Sequence, residues 1–345
     1  MYASPGAIHL HSQYSDGSGS IPHIARAARG AGIEWVIITD HDTLDGRAEQ
    51  GYIDGVLTLV DQEITPFHNH FLGLNVDRVI SNTLPPQQFI DATYDAGGFG
   101  IIAHPDEQTY NEFKGLFRWD DWNINSPTNM SGRSTGIELW NFMSDWGEQL
   151  TPNNKEFLYA FPTRGLRGPT TATMEWWDAL NVAGKRTFGV WGLDTHAFLR
   201  PSPFGRLQVF SYEWSFKTLT NYLWLPEKLP GNINSAMRMV YGALAQGRSY
   251  MVNRLEGDCP NLEYVAFRGA ERWYAGDIAS LREGPITLKV TLGTDAPVRL
   301  IHNGTEIMTG RNTLLTTINA SGVYRIESTK TQTPWVMTNP IYITR

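Results

Sequence analysis

The chain has 345 residues, with 28 basic against 35 acidic side chains and one cysteine. The net charge of −7 lies wholly in residues 1–254, because residues 255–345 carry nine side chains of each sign; this argues against the basic surface of a nucleic-acid-coating protein. A lone Cys259 rules out an internal disulfide, and no apolar run approaches the ~20 residues that span a bilayer.

Ala7-Ile8-His9-Leu10-His11-Ser12 reads as a strand whose alternation sends both imidazoles to one face. Residues 13–20, rich in Ser and Gly, form a predicted loop that can fold Asp16 back over the strand end, where a carboxylate is able to bridge two metals. Residues 21–32 read as a helix stopped by glycine, and residues 34–39 as a buried strand with Asp40-His41-Asp42 at its carboxyl end. The pattern recurs. Residues 56–60 lead to Gln62-Glu63-Ile64-Thr65, His68 and His70 precede Phe71-Leu72-Gly73-Leu74, and residues 99–103 run into His104-Pro105. Residues 136–139 lead to Trp140-Asn141, and residues 187–193 to Asp194-Thr195-His196. Helical stretches at 85–96 and 174–183 separate several of these strands. Repeated strand and helix with polar groups at strand ends predicts a parallel β/α barrel with its active site on the carboxyl face.

Imidazoles and carboxylates gathered at strand ends have the chemistry of transition-metal ligands. A single histidine is more often a satisfied surface or core group; His23, at a helix start, and His302, in a late turn, keep that reading. His70 is preferred to His68 because it abuts the apolar strand. From about Leu255 the pattern changes to short alternating runs at 262–267, 286–292, 298–302, 313–318 and 322–327, separated by turn signals such as Asn303-Gly304. The expected division is a barrel over 1–254 and an immunoglobulin-like β-sandwich over 255–345, read as a lid packed on the barrel.

In the order His9-Leu-His11, Ser15-Asp16-Gly17, Thr39-Asp40-His41-Asp42, Glu63-Ile-Thr65, His70-Phe-Leu-Gly, Ala103-His104-Pro105 and Gly192-Leu-Asp194-Thr-His196, the chain resembles the PHP (polymerase and histidinol phosphatase) superfamily of metallohydrolases over residues 7–200. The resemblance implies a distorted seven-stranded β/α barrel of TIM-like type with two or three divalent ions, zinc, manganese or iron. It carries the ligand role onto His9, His11, Asp16, His41, Glu63, His70, His104, Asp194 and His196. The expected partition puts His9, His11, Glu63 and Asp194 around one ion and Asp16, His41, Glu63 and His104 around a second, with His70 and His196 completing the cluster or holding a third ion. The expected nucleophile is metal-bound water, with no separate catalytic side chain, and Asp42 is expected to fix an imidazole tautomer. Glu138-Leu-Trp-Asn141, Gly247-Arg-Ser-Tyr250 and the stretch from Trp335 to Tyr342 resemble the branch holding carbamate hydrolases and phosphoesterase-like proteins.

The leading functional reading is a phosphoesterase acting on a small organic phosphate, with Arg200 and Asn141 as substrate contacts and Arg164, Arg167 and Arg206 behind them. The alternative is a carbamate, carboxylic-ester or amide hydrolase, whose aryl group would meet Phe113, Phe117, Trp119 and Trp122 of the 110–133 insertion, or Phe161, Trp176 and Trp177. A noncatalytic metal-binding scaffold comes last. The expected partner is a small-molecule substrate, with no nucleic acid and no membrane. Met1-Tyr2-Ala3-Ser4-Pro5 lacks a signal-peptide pattern, so the cytoplasm is the default expectation, with secretion open should a leader have been removed.

Overall fold

The computed structural model describes residues 1–107, 118–128, 135–202 and 205–345, and shows a mixed α/β protein. Phe113 and Phe117 of the expected aromatic insertion lie outside the described residues. Seven strands follow in chain order: β1 (Tyr2–Ile8), β2 (Trp35–His41), β3 (Val56–Ile64), β4 (Phe71–Leu74), β5 (Phe99–Ile102), β6 (Gly136–Asn141) and β7 (Gly189–Gly192). Each is hydrogen-bonded to the next. The circuit returns to its start through Leu193 N to Ile8 O (3.1 Å), Asp194 N to His9 O (2.7 Å) and His11 N to Thr195 O (3.0 Å). Helices α1 (Ile21–Gly30), α2 (Pro86–Asp95), α3 (Phe142–Glu148) and α4 (Thr171–Val182) lie between them in sequence.

The expected all-parallel order fails at one strand, because β4 runs antiparallel to both β3 and β5. Only residues 65–70 join β3 to β4, and a parallel crossover needs a dozen or more. The reversal matters to the site. The start of β4 lies at the same rim as the carboxyl ends of its neighbours, so His70, which precedes its strand, joins ligands that follow theirs.

Beyond the circuit come β8 (Leu219–Leu225), α5 (Ile233–Ala245) and β9 (Ser249–Asn253); β8 pairs antiparallel with both β1 and β9. Then follow β10 (Glu263–Arg268), β11 (Ile286–Thr291), β12 (Pro297–His302), β13 (Thr305–Arg311), β14 (Thr313–Ile318), β15 (Gly322–Thr329), β16 (Pro334–Thr338) and β17 (Ile341–Thr344). One set of antiparallel neighbours is β10, β11 and β14; the other runs β13, β12 and β15, with β15 pairing to β16 and β17. β16 also pairs with β9, so hydrogen bonding is continuous from end to end.

Two buried clusters form, and β8 and β9 serve both. Leu219, Leu223, Leu225 and Met251 face the first, while Tyr222, Trp224, Tyr250 and Val252 face the second, as a period of two dictates. The short strand β7 is stitched by side chains: Asn221 accepts from Trp191 N (3.0 Å) and donates to its carbonyl (2.7 Å), and Asn339 does the same for Gly189 (2.7 and 2.9 Å). Buried backbone groups thereby find partners. Among the described residues no helix is long and apolar enough to cross a membrane.

Asp61, fully buried on β3, accepts from Tyr241 Oη (2.6 Å), Asn75 N (2.8 Å) and Arg47 Nη2 (3.1 Å). Burial outweighs these donors and pushes its carboxyl up to about 6. A carboxyl raised on folding contributes fully below its unfolded value near 3.9, and that contribution is lost as pH climbs through about 6. Between pH 4 and 6.5 the unfolding free energy of the wild type is expected to fall by about 2 kcal/mol relative to Asp61→Asn. Urea titrations of both proteins across that range check this, and a pH-independent difference would refute it.

Candidate metal centre

β1 ends at Ile8, and His9 takes a left-handed φ of 64°. The imidazoles of His9 and His11 therefore meet through a backbone kink, in place of the strand alternation expected, with ring centroids 5.2 Å apart. His104 (φ 26°) and Asp194 (φ 52°) also have positive φ just beyond their strands. Such non-glycine conformations cost of order 1–3 kcal/mol each and persist where surrounding contacts enforce them.

The nine candidate ligands converge on one rim of the strand circuit. Glu63 stands at the centre. Its Oε2 lies 3.3 Å from His9 Nε2, 3.4 Å from His11 Nε2 and 3.0 Å from His41 Nδ1, and its Oε1 lies 2.8 Å from His70 Nδ1 and 3.4 Å from His104 Nε2. Asp194 Oδ1 is 3.2 Å from His11 Nε2 and 3.5 Å from His9 Nε2. Asp16 Oδ1 reaches His196 Nε2 (3.2 Å) and His41 Nε2 (3.5 Å).

Among the described residues three groups offer ligand atoms within 4.8 Å of one another: His11, Asp16, His41 and His196; His9, Glu63 and His104; and His9, His11 and Asp194. The last agrees with part of the expected partition. The remainder differs, for His104 stands with His9 and Glu63, and it is His196 that joins Asp16 and His41. His196 stacks on His11 at 4.1 Å because residues 193–195 bond to the end of β1, which carries His196 beside His11.

The donor set fits divalent cations. His9 Nε2, both nitrogens of His11 and Glu63 Oε2 are buried without a hydrogen bond, an arrangement costing about 1–3 kcal/mol per group unless something else satisfies it. Burial, together with His196 and His41, pushes His11 down to about 3, so it is held as the neutral imidazole that coordinates metals. Burial alone would raise Glu63 and Asp194, yet the surrounding imidazoles hold both carboxyls well below the usual range. Burial would lower His41 and His104, but adjacent carboxylates outweigh it and lift them to about 9 and about 10. Metal uptake at such a set releases protons.

Groups behind the ligands orient them. Asp40 accepts from Ser12 N (2.7 Å), Ser12 Oγ (2.7 Å) and Ser15 Oγ (2.6 Å), which pins the loop carrying Asp16. Asp42 does not touch an imidazole as expected; its short side chain, on a backbone with φ 53°, accepts from Thr65 N (2.9 Å) and Asn82 Nδ2 (2.8 Å). Thr65 Oγ1 (2.8 Å) and Glu63 Oε2 (3.0 Å) are the groups at His41 Nδ1. Asn141 is not placed as a substrate contact either. Its Nδ2 donates to Glu138 Oε2 (2.9 Å) and its Oδ1 accepts from Ser144 N (2.9 Å) as the cap of α3, so both ends of the amide are spent inside the protein.

The cluster floors a cavity of about 500 Å³. Its wall is largely apolar, with Met143, Trp146, Phe198, Val209 and Phe210. Arg200 lines it, paired with Glu156 (2.8 Å) and lying 4.1 Å over the Tyr159 ring. Arg164, Arg167 and Arg206 are exposed and outside this lining; exposed Phe161, half-buried Trp122 and buried Trp119, Trp176 and Trp177 are outside it too. Glu107, missed by the sequence reading, lines the cavity, accepts a hydrogen bond from Ser144 Oγ and is pushed up to about 7 by burial. His23 pairs with Glu213 (3.1 Å), His302 stacks on Tyr324 (4.4 Å) and His68 packs against Phe67 (4.6 Å), leaving all three out of the cluster.

No protein-family model matches the chain. An uncharacterised protein of Methanocaldococcus jannaschii is 30% identical over 112 residues, a stretch covering 28% of this chain and 66% of that relative. Among solved structures, a two-domain protein from Bacteroides vulgatus containing a predicted PHP-like metal-dependent phosphoesterase aligns over 98% of this chain and 95% of its own, at 15% identity and a TM-score of 0.42. A proposed metal-dependent phosphoesterase from Bifidobacterium adolescentis (60% and 93%, 16% identity, TM-score 0.33) and an amidohydrolase from Chromobacterium violaceum (55% and 87%, 14%, 0.31) are also similar. By the types of its ligands, their order along the chain and their convergence at one rim, the protein resembles the PHP superfamily of metallohydrolases.

Proposed function

We propose that the protein is a metal-dependent hydrolase that cleaves a small organic phosphate ester. The observation that carries this reading is the set of three overlapping ligand groups on the floor of a cavity. In this reading His11, Asp16, His41 and His196 hold one ion, His9, Glu63 and His104 a second, and His9, His11 and Asp194 contribute to a third position, with His70 held against Glu63. Bound divalent ions supply an acidified water at neutral pH and a positive field for developing oxyanion charge. The chain's own part is to fix the ligands, to exclude water with the apolar wall, and to pack the organic half of the substrate there. We place the strand circuit in the class of distorted seven-stranded β/α barrels, spanning residues 1–254, and residues 255–345 in the class of immunoglobulin-like sandwiches.

A second reading, hydrolysis of a carbamate, carboxylic ester or amide, is favoured by the apolar wall and by the pairing of Arg200 with Glu156, which leaves little cationic surface for a phosphate beyond the ions themselves. Protein reconstituted with manganese or zinc is to be assayed on p-nitrophenyl phosphate, bis-p-nitrophenyl phosphate and an aryl carbamate, beside Asp194→Ala. Phosphate-ester turnover lost in the variant is the expected result. Turnover of the carbamate alone would replace the first reading with the second, and metal-loaded protein inert on all three would count against both.

A further inference from the structure

We infer that Glu138 is a positioning residue that sets the tautomer of His9 and holds the turn bearing His104, so that both ligands point at the same centre. This rests on the metal-centre reading above. Glu138 is buried on β6, and its side chain is spent entirely at the rim. Oε1 lies 2.7 Å from His9 Nδ1, while Oε2 accepts from the backbone N–H of His104 (2.8 Å) and from Asn141 Nδ2 (2.9 Å). A carboxylate can only accept, so the proton of a neutral His9 sits on Nδ1 and the Nε2 lone pair is left facing Glu63 (3.3 Å) and Asp194 (3.5 Å). His9 and His104 are also two of the residues with positive φ, and the same carboxylate restrains one through its ring and the other through its backbone.

The neighbouring strand makes room for this group. A Cβ built on Gly192 of β7 would lie 1.7 Å from Glu138 Oε1 and 2.6 Å from its Cδ. Only glycine at 192 lets the carboxylate stand where it reaches His9. Three strand ends, β1, β5 and β6, are thus tied to one side chain that never enters the ligand groups.

Glutamine has nearly the same shape but one acceptor oxygen and one NH₂. With its NH₂ toward His104 and Asn141 it sets donor against donor. With its NH₂ toward His9 it turns Nδ1 into an acceptor and moves the proton to Nε2, the atom needed for coordination. The test is the zinc and manganese affinity of the full chain, by competition with a chelator, for wild type, Glu138→Gln and Gly192→Ala, beside the thermal midpoint of each metal-free protein. Glu138→Gln is expected to bind metal about 10- to 100-fold more weakly. Gly192→Ala, which displaces the carboxylate without altering it, is expected to weaken binding in the same direction. A purely structural role would lower the metal-free midpoint and leave the affinity of folded protein unchanged. Wild-type affinity in either folded variant overturns the inference, and a wild type that binds no metal overturns the metal reading and this inference together.

Discussion

Replacing His11 with alanine is expected to lower kcat/KM by at least about a thousandfold, some 4 kcal/mol of transition-state stabilisation, on whichever ester the protein hydrolyses. His11 belongs to two of the three ligand groups, so its loss strips a nitrogen from both. Its two ring nitrogens are buried without hydrogen bonds, and Nε2 faces the carboxylates of Asp194 (3.2 Å) and Glu63 (3.4 Å), an arrangement that a shared cation would satisfy. Metal content should fall with activity, whereas His196→Ala, a member of one group, should lose less metal. The backbone should survive, since His11 N bonds to Thr195 O by a main-chain contact the substitution leaves intact. Elemental analysis, circular dichroism and steady-state kinetics on the same preparations decide the matter. Full metal content with wild-type turnover in His11→Ala would remove the cluster from the chemistry.

The second large effect lies far from the site. Arg325 on β15 is buried, forks onto both oxygens of Asp178 on α4, contacts Glu327 at 2.8 Å and lies 4.9 Å over the ring of Trp177. Two carboxylates and two guanidiniums therefore meet at the seam between the strand circuit and the later strands, since Arg299 also pairs with Glu327 at 2.7 Å. Arg325→Ala leaves Asp178 without its cation while Glu327 keeps Arg299, and losses of about 3–5 kcal/mol attend the removal of one partner from a buried pair. Asp178→Asn should cost less, about 1.5–3 kcal/mol, because Arg325 keeps Glu327. Urea unfolding of the two variants measures both values, and equal or negligible losses would show that the seam is held by apolar packing.

Much of the site was legible because ligand chemistry and strand ends coincide in sequence. His41 follows the buried run of β2, Glu63 closes β3, and His104 follows the apolar β5. What could not be read was pairing across the circuit. Glu138 stood in plain view as a charge between Ile137 and Leu139, and a buried carboxylate in an apolar strand demands a partner. That partner, His9, is 129 residues away, and nothing local names it. The grouping of ligand atoms differs from the expected partition at His104 and His196 for the same reason: it depends on which strands lie side by side. The reversal of β4 was readable in principle, since the residues between Ile64 and Phe71 are too few for a crossover.

Among the later strands, the five alternating runs coincide with β10, β11, β12, β14 and β15. β13 escaped notice because its residues are mostly exposed and its pattern carries little apolar signal. β8 and β9 escaped for the opposite reason. Both faces are buried, against different cores, so their sequences show no alternation.

The antiparallel β4 also divides the ligands by the order in which they can come together. Glu63 and His70 are 7 residues apart on a local hairpin, whereas His9 and Glu138 are 129 apart. Closing the longer loop costs about 2.5 kcal/mol more in chain entropy, a debt met only when the last strand docks beside the first. A chain paired only as far as β5 therefore brings His9, Glu63 and His104 together, whereas the two groups that need Asp194 or His196 wait for the circuit to close. At those two groups cation uptake is coupled to completion of the circuit, so ions added to an unfolded chain would favour that final step without speeding the hairpin that precedes it.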